Sequence, residues 1–317
     1  MKTVRILLLC VAGLAVLLLA ATHIVMRYAC RRGRALGTNI DEALAHSTFR
    51  HYKDLIVRAQ AWLAQQPVEE VCVTSFDGLR LRGRFLPCEN ARATLLLFHG
   101  WRSYPELDFG AAMEFYRSQG LNLLFPDERA QGASEGKFIT FGVRERRDVH
   151  TWTQWCAERL GKDAPLLLGG VSMGASTVLM ACGEPFAENV RGVIADCGFT
   201  SPWEIIAKCT RDFHLPAALL VPLIDLNASL FAGFGLKEYS TLDAMPHTTL
   251  PVFLAHGEAD SFVPCEMSKK NYAACASQEK TLLLTPDAGH GQSYLKATGR
   301  YQSAVREFVD RALEGAS

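Results

Sequence analysis

Apolar and polar positions change rhythm three times along the chain. From Ile6 to Met26 the run is apolar, with no formal charge unless His23 is protonated, and at 21 residues it is long enough to cross a bilayer as a helix. Between Asp41 and Gln66, residues Leu44, Phe49, Tyr52, Leu55, Ile56, Ala59, Trp62 and Leu63 recur at spacings of three and four. That period predicts an amphipathic helix, ended by Pro67. Beyond it, short apolar runs alternate with helical patterns. Residues 71–76 and 79–85 alternate apolar and polar about Asp77-Gly78, an antiparallel hairpin signal. Residues 93–98, 121–125, 165–169, 190–195, 251–255 and 281–284 read as strands, and 93–98 as one buried on both faces. Helical patterns follow at 106–119, from Gly142, Glu145 and Asp148 to Leu160, after Ser172, and at 298–313. This alternation predicts a largely parallel sheet in one α/β domain.

One stretch breaks the rhythm. Residues 200–246 carry Trp203, Phe213, Leu219, Leu220, Leu223, Leu230, Phe231 and Phe234, with prolines at 202, 216 and 222. They predict a small helical insert over the C-terminal edge of the sheet, a lid shaping an acyl or other apolar pocket. Helices packed on the side of the domain are the plainer alternative. The expected organisation is therefore a membrane anchor with basic flanks at 1–34, a juxtamembrane amphipathic helix at 35–67, and a catalytic domain at 68–317. The amphipathic helix is expected to pack on the domain rather than lie on a membrane surface. A cleaved signal peptide would have an apolar core of about 7–15 residues, shorter than this one. Lys2 and Arg5 precede the run and Arg27, Arg31, Arg32 and Arg34 follow it, so the positive-inside rule leaves orientation open.

Candidate chemistry centres on Gly170-Val171-Ser172-Met173-Gly174, a G-x-S-x-G pattern between a strand and a helix. A serine at so sharp a turn sits in a strained backbone, and residues two before and two after it crowd the turn, which calls for glycine at both. The helix N-terminus behind it offers free N–H groups to a developing oxyanion. Ser172 needs a base, and His290, on the loop after the last strand, suits that work near neutral pH. Asp260, on the loop after residues 251–255, is placed to hold the imidazole tautomer. Glu258, Asp196 and Asp287 are the lesser candidates for the acid. His99-Gly100-Trp101 ends a buried strand, so the Trp101 N–H can pair with the Met173 N–H as oxyanion donors. His99 itself reads as structural, and Asp127 and Arg129 as turn chemistry and an ion pair.

Composition narrows the rest. The 317 residues are 49% hydrophobic and 21% charged, which fits one large domain of about 250 residues after the anchor. Lys+Arg and Asp+Glu are both 33, so no basic field attracts nucleic acid. No zinc-type cysteine spacing, P-loop or dinucleotide fingerprint occurs, and no metal or cofactor is expected. The ten cysteines show no disulfide framework, and Cys72, Cys156, Cys182 and Cys197 lie in apolar runs as small hydrophobes. Cys265 and Cys275 are expected on one helix, about 15 Å apart and too far to bridge.

Taken together, His99-Gly100-Trp101, the segment Asp127 to Gly136, Gly170 to Gly174, His256-Gly257-Glu258-Ala259-Asp260 with Val263-Pro264, and Gly289-His290 resemble the α/β-hydrolase superfamily over residues 71–313. Within it the chain is similar to bacterial membrane-anchored serine hydrolases grouped with lipase-, esterase- and S9-peptidase-like proteins. The resemblance implies a mostly parallel sheet with helices on both faces, and a Ser172–Asp260–His290 triad hydrolysing small or lipid-like carboxylic esters. It also implies a single-pass protein of a bacterial inner membrane. Gln131 stands where the superfamily's loop often has histidine, in a segment that is mostly structural. A peptidase or acyltransferase on the same triad, and a non-catalytic binding protein on the fold, are the alternatives. Acyl group, oligomeric state and membrane side are left open.

Overall fold

The structure, a computed structural model, describes residues 1–33 and 48–314. The first quarter of the expected amphipathic helix, residues 41–47, lies outside them. Helix α1 spans Lys2–Cys30. A single 3₁₀ turn at Thr48–Tyr52 leads into α2, Lys53–Leu63, which buries Ile56, Ala59 and Leu63 against the domain.

Eight strands form one sheet: β1 (Glu69–Thr74), β2 (Arg80–Leu86), β3 (Ala93–Phe98), β4 (Leu121–Pro126), β5 (Leu166–Val171), β6 (Val190–Asp196), β7 (Val252–Gly257) and β8 (Lys280–Thr285). Their order is β1-β2-β4-β3-β5-β6-β7-β8. The β1–β2 hairpin is antiparallel and β2 joins β4 antiparallel, while β3 to β8 pair in parallel. The α/β-hydrolase fold is thus the fold of this chain. Alternate residues of each central strand feed opposite faces. On β3, Leu96 and Phe98 join one core with Trp152 and Val178, and Leu95 and Leu97 join the other with Met113, Tyr116, Val305 and Phe308.

Helices cover both faces. They are α3 (Pro105–Asp108), α4 (Gly110–Ser118), α5 (Glu145–Leu160), α6 (Met173–Ala181), α7 (Pro202–Asp212), α8 (Ala217–Asn227), α9 (Thr241–Ala244), α10 (Glu266–Ala274), α11 (Ser293–Lys296) and α12 (Thr298–Glu314). Where the sequence predicts one helix over 106–119, there are two. The helices divide at Phe109, and Asp108, whose N–H still bonds the Tyr104 carbonyl, turns its carboxylate to accept hydrogen bonds from the Gly100 N–H and the Ser103 hydroxyl. Cys265 and Cys275 flank α10, and all ten cysteines are free thiols. Cys156, Cys182 and Cys197 are buried, but Cys72 is exposed, because β1 is the edge strand and its outer face meets solvent.

The insert at 200–246 is helical: α7, α8 continued by a π turn at Ala228–Ala232, and α9. Its apolar residues divide. Phe234, Val221 and Ile224 are buried, whereas Phe213, Leu219, Leu230 and Phe231 are exposed. The buried set belongs to a third core, with Met26 and Cys30 of α1, Ile139 and Phe141, and Met173. The C-terminal end of α1 is therefore part of the globular core. Its first buried residue is Thr22.

Candidate active site

The C-terminal ends of β3, β5, β7 and β8 meet at one edge of the sheet, and each carries one part of the site. At the end of β5, Ser172 has φ 56° and ψ −114°, a region that non-glycine residues adopt only under strain. Both flanking glycines are steric requirements. A Cβ on Gly170 would stand 2.3 Å from the Gly174 carbonyl carbon, and one on Gly174 would stand 1.9 Å from the Phe98 oxygen. The Ser172 N–H donates to the Asp196 carbonyl at 2.9 Å, and α6 begins one residue later.

His290 reaches in from the loop after β8. Its Nε2 lies 2.9 Å from Ser172 Oγ and its Nδ1 lies 2.7 Å from Asp260 Oδ2. The carboxylate fixes the tautomer: Nδ1–H donates to Asp260, which leaves Nε2 to accept from the serine hydroxyl. Asp260 is held in turn. Its Oδ1 accepts the N–H groups of Phe262 (2.8 Å) and Val263 (2.9 Å), and His256 Nε2 lies 3.2 Å from Oδ2. Burial works to raise this carboxyl, but hydrogen bonds from His256, His290 and the Val263 amide outweigh it and hold it below the usual carboxylate range. His256 is itself fixed by the Val263 carbonyl and the Ser268 hydroxyl. Phe262 packs edge-on to the His290 ring at 5.0 Å and forms an exposed rim.

The two ring nitrogens of His290 meet Asp260 and Ser172 and none of the other candidate acids. Asp196 accepts from the Ser293 hydroxyl, Glu258 is exposed, and Asp287 takes φ 56° in the β8–α11 turn. His99 is fully buried: its Nδ1 donates to the Gly100 carbonyl and its Nε2 accepts the Glu128 N–H. Asp127 accepts the Ala133 N–H inside its turn, and Arg129 forms a bidentate pair with Asp148 and a second pair with Asp77.

The loop after β3 passes beside the serine, since a Cβ on Gly100 would lie 3.4 Å from Ser172 Cβ. Its amides are sorted. The Gly100 N–H donates to Asp108 Oδ2 at 2.6 Å and the Arg102 N–H to Gln131 Oε1 at 2.5 Å. Among the described residues the Trp101 N–H between them, and the Met173 N–H at the first position of α6, have no protein acceptor. Asp108 and Gln131 thus shape the loop, and neither was visible as a site residue in the sequence. Asp108 lies in a stretch with helical period, and nothing in its spacing marks it. Burial pushes its carboxyl up, against the bonds from Gly100 and Ser103.

The same loop grips the end of α1. Trp101 Nε1–H donates to the Ala29 carbonyl at 2.8 Å, and Arg102 Nη2 donates to the carbonyls of Tyr28 (2.7 Å) and Arg31 (2.9 Å). Carbonyls left over at a helix C-terminus need such donors. Cys197, Asp260 and His290 also bring donor atoms within 4.8 Å of one another. Both His290 nitrogens are already committed, and burial raises the Cys197 thiol well above its ordinary range, away from the thiolate a metal needs.

Residues 108–316 match the Prolyl oligopeptidase family, more than half of the chain. YqkD of Bacillus subtilis, an uncharacterised protein, is 26% identical over 239 residues, which cover 75% of this chain and 78% of that one. The esterase Pf2001 of Pyrococcus furiosus superposes with a TM-score of 0.66 at 23% identity, covering 89% of this chain and 97% of that one. Est1E of Butyrivibrio proteoclasticus, solved with ferulic acid bound, has a TM-score of 0.59 at 18% identity, covering 77% of this chain and all of that one (100%). These two likenesses bear on the fold.

Proposed function

The chain belongs to the prolyl oligopeptidase family and is a hydrolase of the α/β-hydrolase fold, and from that premise we propose that it cleaves carboxylic esters through an acyl-enzyme on Ser172. The observation that carries this is the chain of contacts Ser172 Oγ–His290–Asp260, at 2.9 and 2.7 Å. Ser172 Oγ attacks the acyl carbon as His290 Nε2 takes its proton. The oxyanion settles between the N–H groups of Trp101 and Met173, each such donor typically worth about 10²–10³ in rate. Collapse expels the alcohol, protonated by His290. Water, deprotonated by the same imidazole, then releases the acid and restores Ser172. Asp260 stays ionised throughout and stabilises the imidazolium. The chemistry needs no cofactor.

A fluorophosphonate probe on the detergent-solubilised protein tests the activated serine. Labelling should vanish in Ser172→Ala and His290→Ala, and p-nitrophenyl esters of graded chain length should turn over only with Ser172 present. A wild-type protein that neither labels nor hydrolyses any chain length sinks the proposal. The family match favours one second reading, peptide cleavage on the same residues. Release of aminocoumarin from short peptides faster than from matched esters would put it first.

We further read α1 as an uncleaved membrane anchor. It is 29 residues long and apolar enough to span, and the apolar window that qualifies it is 0% buried. Its last turns support retention over cleavage, because Thr22, Met26 and Cys30 are buried in the domain. The insert 200–246 then acts as a lid between bilayer and Ser172, admitting lipid-like or other small esters. Membrane flotation of the full chain tests this, and recovery in the soluble fraction would overturn it.

A further inference from the structure

A groove of about 620 Å³ opens where α1 meets the domain. Its polar side is cationic. Arg27, Arg31 and Arg32 of the anchor's exit, Lys137 and His23 line it, and among the described residues no carboxylate does. Its other walls are Met26, Phe138 and Phe231. The floor is preformed. Arg31 bridges to Phe138, the Arg32 N–H donates to the Lys137 carbonyl at 2.9 Å, and the Ile139 N–H donates to the Cys30 carbonyl. The Arg32 guanidinium is fixed on the carbonyls of Gly132 and Ser134. Among the described residues, the charged ends of Arg27, Arg31 and Lys137 have no protein partner. Among the described residues, four cations line the groove beside aromatic and thioether walls, and no acid lines it with them. That pairing suits a ligand with an anionic head and an apolar tail.

The depth of the groove says where such a ligand comes from. Lys2 to Ala21, the part of α1 before its first buried residue, rises about 30 Å, the thickness of a hydrocarbon core. Arg27 then lies roughly 8 Å past Thr22, at the level of lipid headgroups. The docking that fixes this depth is specific. Asn227 of α8, buried, donates to Thr22 Oγ1 at 3.1 Å and meets His23 Nδ1 at 3.1 Å. Leu226, Leu230 and Phe231 beside it stay exposed, an apolar face continuous with the helix.

We propose that this groove binds the phosphate headgroup of an anionic phospholipid, with Arg27, Arg31 and Lys137 around the phosphate and the acyl chains along Phe231 and α1. The bound lipid braces the helix end that Trp101 and Arg102 hold, and so seats the loop beside Ser172 at the membrane surface. This rests on the reading of α1 as an anchor.

The test uses the full chain, as wild type and as Arg27→Gln/Arg31→Gln/Lys137→Gln, in detergent and in vesicles. Short-chain phosphatidylglycerol should raise the melting temperature of the wild type, and phosphatidylcholine or inorganic phosphate should not. Each cation at an anionic surface is worth roughly five-fold in affinity, so the triple variant should bind phosphatidylglycerol on the order of a hundred-fold more weakly. Its hydrolysis of a soluble acetate ester should stay at the wild-type rate. Equal protection by phosphatidylcholine, or by inorganic phosphate alone, overturns the headgroup site, as does undiminished binding by the variant. Failure of the wild type to float with vesicles of either composition overturns the anchor reading instead. Flotation without lipid preference overturns only the groove.

Discussion

The edge of the sheet around Ser172 and the seam between α1 and the insert are both polar contacts set in apolar surroundings, yet they are assembled in opposite ways. At the sheet edge, each side chain is aimed by its own turn: Ser172 by a positive φ, Asp260 by two amides within three residues, His290 by a short loop after β8. At the seam, Thr22 and His23 meet Asn227 from the far side of the sequence, and among the described residues the only local preparation is a bond from Thr22 and from Asn227 to carbonyls one turn back in their own helices. Local construction makes a site rigid and tolerant of changes elsewhere. Long-range construction makes a joint that a single substitution can open.

The largest effect should come at the sheet edge. Ser172→Ala and His290→Ala should each lower ester turnover by roughly four orders of magnitude or more, with circular dichroism unchanged. Next, Gly174→Ala should destabilise by about 3 kcal/mol or more, read as a fall in denaturant midpoint, because a methyl group has nowhere to go beside Phe98. Ser172→Gly should do the reverse, removing activity while stabilising by about 1 kcal/mol through release of the strained φ.

The seam should answer more gently and in a different observable. Asn227→Ala should cost about 1–2 kcal/mol and speed trypsin cleavage near Arg31, while a small soluble ester is still hydrolysed. Equal loss of turnover and of docking would erase the contrast between the regions. Glu128 sharpens it from a third position. It is buried with no protein partner for either carboxylate oxygen, and burial, with Glu145, Asp148 and Asp108 nearby, raises it well above 4.5. The folded chain keeps a proton there that the unfolded chain releases above about pH 4.5. The stability this contributes is complete below that pH and is lost as pH climbs through the folded value. Glu128→Gln should flatten that decline and melt a few degrees higher at neutral pH, checked by melting curves from pH 4 to 8. The smallest effect belongs to Trp101→Phe, which removes the bond to Ala29 but keeps the backbone amide. About 1 kcal/mol of stability should go, with turnover of small esters retained.

This contrast also explains what could be read in advance. The strands β3 to β8 announce themselves because each is a short apolar run closed by glycine or a polar residue, and the elements of the site sit at those closures. The contacts among Ser172, Asp260 and His290 follow from strand order, which alternation and parallel pairing nearly dictate. Asp108 did not show, because its role depends on how the loop after β3 folds back to bring Gly100 and Ser103 to one carboxylate. Nor did the facing of the insert. Hydrophobicity marks Leu219, Leu230 and Phe231 as apolar but cannot say whether they point toward the sheet or away, and they point away. The α1 seam was invisible for the same reason: a run apolar on every side has no period to reveal which face is docked.

That seam has a consequence for biosynthesis. His23 and Asn227 are 204 residues apart, so at ribosomal speeds one waits on the order of ten to forty seconds for the other. Throughout that interval Thr22 and His23 lack their α8 partner, although Ile139 and Phe141, which share the third core with Met26 and Cys30, have already been made. The third core draws on residues from Met26 to Met267, so the end of α1, made first, waits for α8 to complete its docking and for most of the chain to complete its core.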